Sequence, residues 1–200
     1  MTESLIILLH GVGQGPAAMA PLAERIAAEL PHARVAAIPA ARSYDRGAQC
    51  NHGFQWFSVD GITEDNRPGR IREALPVFVE TIRAVQRSHG AGPERTVLAG
   101  FSQGAIMALA GAGDTWLARH VLAIAGRFAP LPERWDPRTA VSLVHGAMDG
   151  TVPAEHSRRA LARMAELGAD AELDLVPRAV HMLSPAILDA ALRALRRLPK

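Results

Sequence analysis

A serine with a glycine two positions away on each side is the first group in this sequence whose spacing implies a chemistry. Gly100-Phe101-Ser102-Gln103-Gly104 ends an apolar run, Thr96–Phe101, and leads into the helical Ala105-Ile106-Met107-Ala108-Leu109. A Gly-x-Ser-x-Gly turn between a strand and a helix exposes the hydroxyl on a strained backbone, and its glycines let neighbouring chain approach. The helix N-terminus behind it offers free N–H groups to a developing oxyanion. By composition the bare pattern arises by chance in roughly one chain in fifteen, and requiring the strand and helix around it lowers that several-fold. The alternative is a glycine-rich turn with an incidental serine.

Such a serine needs a base, and an acid to orient the base, in the chain order Ser, Asp or Glu, His. His120, His145, His156 and His181 follow Ser102. His120 begins an apolar run and falls on the wrong edge. His145 lies in or at the end of another run, and His156 in the first turn of a helical stretch. His181 comes after the last run across a short loop, where an imidazole can reach a hydroxyl. For the acid, Asp149 sits in Gly146-Ala147-Met148-Asp149-Gly150-Thr151-Val152-Pro153, directly after a run. Asp114 and Asp136 occupy less regular segments, and Asp174 is inside a run. A turn or cap aspartate is the competing role for Asp149.

These groups must be carried to one place by regular elements. Apolar runs at Leu5–Leu9, Arg34–Ile38, Thr96–Phe101, 121–125, 141–145 and Ala171–Val176 alternate with longer amphipathic stretches. That alternation marks βα units, and runs apolar on both faces mark strands covered on each side. Met19, Leu22, Ile26 and Leu30 recur at helical spacing, as do Ile71, Leu75, Phe78, Ile82 and Val85. Leu161, Met164 and Leu167 end at Gly168, and Ser184-Pro185 opens the last helix. The fold class is therefore α/β: a mostly parallel open sheet of about six strands, helices on both faces, in one domain spanning residues 1–200. Residues 39–65 resist the scheme and read as a long loop draped over the sheet's active edge.

The first strand runs into His10-Gly11-Val12-Gly13-Gln14-Gly15-Pro16. A dinucleotide fingerprint would need glycine or alanine where Pro16 stands and an acidic end to the second strand, which instead runs into Pro39-Ala40-Ala41. With strand order 2-1-3-4-5-6, strands one and three are neighbours at the switch point, and Gly11, Val12 and Gly13 open into the crevice of Ser102. In an α/β-hydrolase the oxyanion donors are the N–H after the nucleophile, here Gln103, and one from this loop, here Val12. His10, at a strand end before glycine, reads as a hydrogen-bonded structural residue ahead of a base.

Composition bounds what else the chain does. Its 200 residues are 48% hydrophobic and 21% charged, a soluble globular profile large enough for a substantial core. A net charge of +2 gives no argument for nucleic acid or an anionic membrane as partner. Lys200 is the one lysine, which removes Ser–Lys dyads, Schiff-base lysines and P-loops. Cys50 is the one cysteine, so no intrachain disulfide forms, and with His52 it makes a single ligand couple, short of a metal site. No cofactor is expected. Leu5–Leu9 is too short for a signal peptide core and no stretch reaches membrane-span length, so no stable membrane anchor is expected and a cytoplasmic location is.

Taken together, the chain resembles the phospholipase/carboxylesterase family of α/β-hydrolases, bacterial carboxylesterases and acyl-protein thioesterases among them, and a small bacterial esterase branch in particular. The resemblance rests on His10-Gly11-Val12-Gly13, Gln55-Trp56-Phe57-Ser58-Val59, Gly61-Ile62-Thr63-Glu64-Asp65-Asn66-Arg67, Gly100-Phe101-Ser102-Gln103-Gly104-Ala105, His145-Gly146 with Asp149, and His181. It implies the triad Ser102, Asp149 and His181, with Val12 and Gln103 as oxyanion donors. It also implies a substrate pocket lined by Trp56 and Phe57, although a buried aromatic pair is equally plain core. Gln14 departs from the acidic or small residue of many relatives, and Gly150 from a common proline. The resemblance allows a homodimer.

The expected function is a carboxylesterase acting on esters of small or single-chain acyl groups, since so short a chain has no room for a large cap domain. A thioesterase or lysophospholipase would use the same three residues on another acyl group. A peptidase lacks support from any gating segment, and a non-catalytic binding protein on a hydrolase scaffold is opposed by the intact Ser, His and Asp.

Overall fold

The computed structural model describes residues 4–45 and 53–197. Six parallel strands form one sheet: β1 (Leu5–Leu9), β2 (Arg34–Ile38), β5 (Thr96–Phe101), β6 (His120–Ile124), β7 (Ala140–Gly146) and β8 (Ala171–Val176). Their order is β2-β1-β5-β6-β7-β8, so the first and third of the six strands are neighbours, Leu9 opposite Gly100. Every residue of β1, β5 and β6 is buried, as expected of central parallel strands covered on both faces, while edge strand β8 is mostly half-buried and edge strand β2 is exposed at Arg34 and Ala37.

The period of two along each strand divides the core. Leu5, Ile7, Leu9 and Leu98 face α2 (Arg67–Ser88), α3 (Gln103–Asp114) and α4 (Glu155–Glu166). Ile6, Leu8, Val97 and Ala99 face α1 (Ala20–Glu29) and α5 (Pro185–Arg196). Helix α3 has no polar side to offer: residues 105 to 109 are all buried, because α2 covers the face turned from the sheet. Helix ends match the sequence signals. Gly168 takes φ +65° just past α4, and the Ser184 hydroxyl accepts from Ile187 N–H at the start of α5. Among the described residues, no helix is long and apolar enough to cross a membrane.

Two expectations need correction. Residues 39–65 are not wholly irregular: β3 (Arg42–Ser43) pairs antiparallel with β4 (Phe54–Gln55), and strands this short leave no periodicity in a sequence. The ribbon is stitched to the loop after β1, since Gly13 N–H donates to Phe54 O at 2.9 Å and Phe54 N–H to Gln14 O at 2.7 Å. The fourth strand of the main sheet is shifted by one residue from 121–125, and the fifth runs one residue beyond 141–145 at each end. Ala125 leaves the strand at φ 51°, and His145 lies within β7.

His120 introduces a pH dependence into this sheet. Ser142 donates to Glu172 at 2.8 Å, so His120 Nε2–H donates to Ser142 Oγ at 3.0 Å, and its Nδ1 lone pair is buried without a partner among the described residues. A proton on Nδ1 would have no acceptor. Burial, helped by Arg119, lowers the His120 pKa to about 3. Unfolding releases this histidine to its ordinary pKa of about 6.5, so the unfolded state binds the extra proton and stability falls as pH drops below that value. The expected loss from this residue between pH 7 and pH 5 is about 2 kcal/mol, read from urea midpoints. The pH slope should flatten in His120→Gln, whose amide still donates to Ser142 but gains no proton.

Candidate active site

The C-terminal ends of β1, β5, β7 and β8 converge at one rim, and the turn after β5 sets its centre. Ser102 takes φ 52° and ψ −113°, a strained conformation for a side chain other than glycine. Two close approaches enforce it. A Cβ on Gly100 would come 2.4 Å from Ala105 N, and one on Gly104 would come 2.3 Å from Leu9 O. Helix α3 can therefore start hard against the end of β1. Ser102 N–H donates to Ile124 O at 2.9 Å, which fixes the turn to the next strand.

His181 Nε2 lies 2.9 Å from Ser102 Oγ, and His181 Nδ1 lies 2.7 Å from Asp149 Oδ2. A carboxylate only accepts, so Nδ1 carries the proton and Nε2 is left to accept from the serine hydroxyl. Burial pushes the Asp149 carboxyl up. Hydrogen bonds from His181 and from the N–H groups of Val152 and Thr151 outweigh it, leaving Asp149 below the usual carboxylate range and ionised. Ser102 and Asp149 are buried, while the His181 side chain keeps 17% of its surface exposed. The Phe101 ring lies 5.1 Å from the imidazole and limits its rotation. The two loops that bring acid and imidazole together are also bonded to each other, Met148 N–H to Ala179 O at 2.9 Å. Gly150 meets nothing that requires glycine, and the Asp149 loop is held by Oδ1 accepting from Thr151 N–H at 2.9 Å and Val152 N–H at 2.8 Å.

Opposite the serine, the loop after β1 is closed by its own side chain. Gln14 Oε1 accepts from Gly11 N–H at 3.1 Å, so Gln14 shapes this loop locally. Gly11 N–H and Gly13 N–H are thus engaged, and Val12 N–H between them has no partner among the described residues.

The structural match is broad. The model of the phospholipase/carboxylesterase family matches residues 1–198. The chain belongs to that family. A relative, esterase YpfH of Escherichia coli (strain K12), is 38% identical over 195 residues, 97% of this chain and 82% of that protein. Among solved structures, esterase PE8 superposes with a TM-score of 0.86 at 26% identity, covering 99% of this chain and 94% of that one. The carboxylesterase from Mesorhizobium loti, 18% identical, shares the fold with a TM-score of 0.77 over 98% of this chain and 89% of its own. The chain is a hydrolase of the phospholipase/carboxylesterase family with the α/β-hydrolase fold.

Several side chains around this candidate site make contacts that the sequence does not signal. The Gln103 amide clamps a distant segment to the serine turn: its Oε1 accepts from Trp56 N–H at 2.8 Å and its Nε2 donates to Phe57 O at 2.7 Å. Trp56 and Phe57 are 5% and 2% exposed, and the Trp56 indole donates to His10 O at 2.9 Å. His10 accepts from Ala40 N–H at 3.0 Å through Nε2, the structural role its position suggested. His145 supports the acid. Its Nε2–H donates to Val152 O at 2.8 Å with Asp149 Oδ2 3.3 Å away, and its Nδ1 accepts from Ser157. Burial lowers its pKa and keeps it neutral. Cys50 and His52, the one ligand couple in the sequence, lie outside the described residues.

Proposed function

We propose that this hydrolase is a serine carboxylesterase cleaving carboxylic esters of small or single-chain acyl groups through an acyl-enzyme on Ser102. The unbroken hydrogen-bonded line from Ser102 through His181 to Asp149 carries this reading. His181 takes the Ser102 proton as Oγ attacks the ester carbonyl, and the N–H groups of Val12 and Gln103 hold the oxyanion. Collapse expels the alcohol, protonated by His181. Water then attacks the acyl-enzyme with His181 again as base, and Ser102 is released. Asp149 holds the imidazole in the tautomer that leaves Nε2 free. Trp56 and Phe57, held by the Gln103 amide, back the acyl or alcohol pocket from within the core. The esterase relatives YpfH and PE8 support an ester as the substrate. A cytoplasmic location belongs to the same proposal, in keeping with a lone cysteine.

A fluorophosphonate probe tests the reading directly. The unaltered chain should be labelled and Ser102→Ala should not. Labelling that survives the substitution would place the nucleophile elsewhere. Oxygen esters and thioesters of matched acyl length, run on the same preparation, separate carboxylesterase from thioesterase action.

A further inference from the structure

The segments that hold the candidate triad also wall a cationic cavity that the proposed acyl transfer does not use. It measures about 460 Å³ and is walled by Glu64, Arg127, Phe128, Leu131, His156 and Arg159. Arg127 lies just past Ile124, whose carbonyl accepts from Ser102 N–H, and Gly126 is packed so close to α3 that a Cβ would stand 2.4 Å from Ala105 Cβ. His156 opens α4 shortly after Thr151 and Val152, whose N–H groups hold Asp149. Glu64 follows Phe57, whose carbonyl the Gln103 amide holds.

The charges in this cavity are unequally fixed. Arg127 is 13% exposed and Glu64 is 67% exposed, so a solvent-facing carboxylate reaches onto a seated guanidinium. Arg127 donates through both terminal nitrogens to the two Glu64 oxygens, one of these bonds measuring 3.2 Å. Its Nη1 also lies 3.1 Å from His156 Nε2, which accepts; burial first, then the Arg127 charge, lower the His156 pKa and keep that ring neutral. Arg127 Nε is buried with no partner among the described residues. Arg159, exposed, adds a second guanidinium to the lining. A planar fork already holding one carboxylate is matched to another, and Glu64, whose Oε1 also accepts from Arg67 at 3.0 Å, keeps a cationic partner when an incoming carboxylate takes its place on Arg127.

We propose that this cavity receives a carboxylate carried by the substrate, with Arg127 as its principal contact and Glu64 holding the place until substrate displaces it. The inference rests on the serine esterase reading and names its substrate class: half-esters of dicarboxylic acids, with the ester carbonyl at Ser102. Phe128 and Leu131 supply the apolar lining for the methylene chain between the two ends. His156 acts as a positioning residue for Arg127.

Aryl half-esters of glutarate, adipate and suberate test this, each paired with the analogue whose free carboxylate is replaced by a carboxamide. The readout is the ratio of kcat/KM, charged over neutral, within each variant. At the best-fitting length the unaltered enzyme should favour the charged ester by about 10- to 100-fold, mainly through KM, the range of one hydrogen-bonded charge pair. Arg127→Gln should bring the ratio towards unity, and Glu64→Gln should raise it by removing the competing carboxylate. A ratio near unity at every length in the unaltered enzyme, or one that Arg127→Gln leaves intact, overturns the proposal. Should Arg127→Gln fail to fold, Glu64→Gln decides, because its side chain is exposed, and an unraised ratio overturns the proposal equally. Absence of turnover on the neutral esters too would instead count against the serine esterase reading itself.

Discussion

Replacing Ser102 with alanine is expected to lower ester turnover by on the order of 10⁵- to 10⁶-fold while leaving the fold intact. The substitution removes one oxygen atom and no backbone contact: Ser102 N–H still donates to Ile124 O, and Ser102 O still accepts from Ile106 N–H. Nor does the left-handed backbone oppose alanine. Ala125, in the turn after the neighbouring strand, already takes φ 51° against φ 52° at Ser102. The residual rate should come from the oxyanion donors and substrate binding alone, which in serine hydrolases still exceed water by roughly 10³–10⁴-fold. Hydrolysis of a short-chain aryl ester, beside thermal midpoints of both proteins, measures it. Turnover within tenfold of the parent would remove Ser102 from the chemistry.

The parts of this site that can be read from sequence are those imposed by steric exclusion and by chain order. Gly100 and Gly104 are required because Ala105 N and Leu9 O stand where a Cβ would be, so the pattern survives as a local string. The central strands β1, β5 and β6 are legible because burial on both faces leaves them almost wholly apolar. What escapes is side-chain traffic between distant segments. Gln103 looks like any polar residue opening a helix, yet its amide binds the backbone of Trp56 and Phe57. Whether those two aromatics line a pocket or fill the core cannot be decided from type alone, since both roles ask for large apolar rings; here they are buried.

Histidines illustrate the same limit from the other side. His145 and His181 each follow a plausible acid or strand, and only position separates a supporting ring from one reaching the serine. His145 is within β7, fully buried, with its Nε2 committed to Val152 O. His181 is on the loop after β8, partly exposed, with Nε2 facing Ser102. Arg127 had a signal of a kind, a charged residue directly after a strand end and its glycine, but its meaning depends on Glu64 and His156, which arrive from separate segments.

Asp149→Asn is expected to cost about 10⁴-fold in kcat, close to the loss when the corresponding acid is neutralised in a well-studied serine protease. The reason here is the division of labour between the two carboxylate oxygens. Oδ1 accepts from Thr151 N–H and Val152 N–H, so an asparagine must turn its one oxygen to that pair. Its amide NH₂ then points at His181 Nδ1, which has to become an acceptor. The imidazole proton is thereby moved to Nε2, the nitrogen that should receive the Ser102 proton. The same NH₂ also meets the His145 Nε2–H, now 3.3 Å from Oδ2, so that a donor stands where a carboxylate oxygen had been. Binding should change little, so the loss should appear in kcat with KM held, as measured on a short-chain ester near neutral pH. A variant that keeps more than a tenth of the parent kcat would mean that Asp149 does not set the imidazole tautomer.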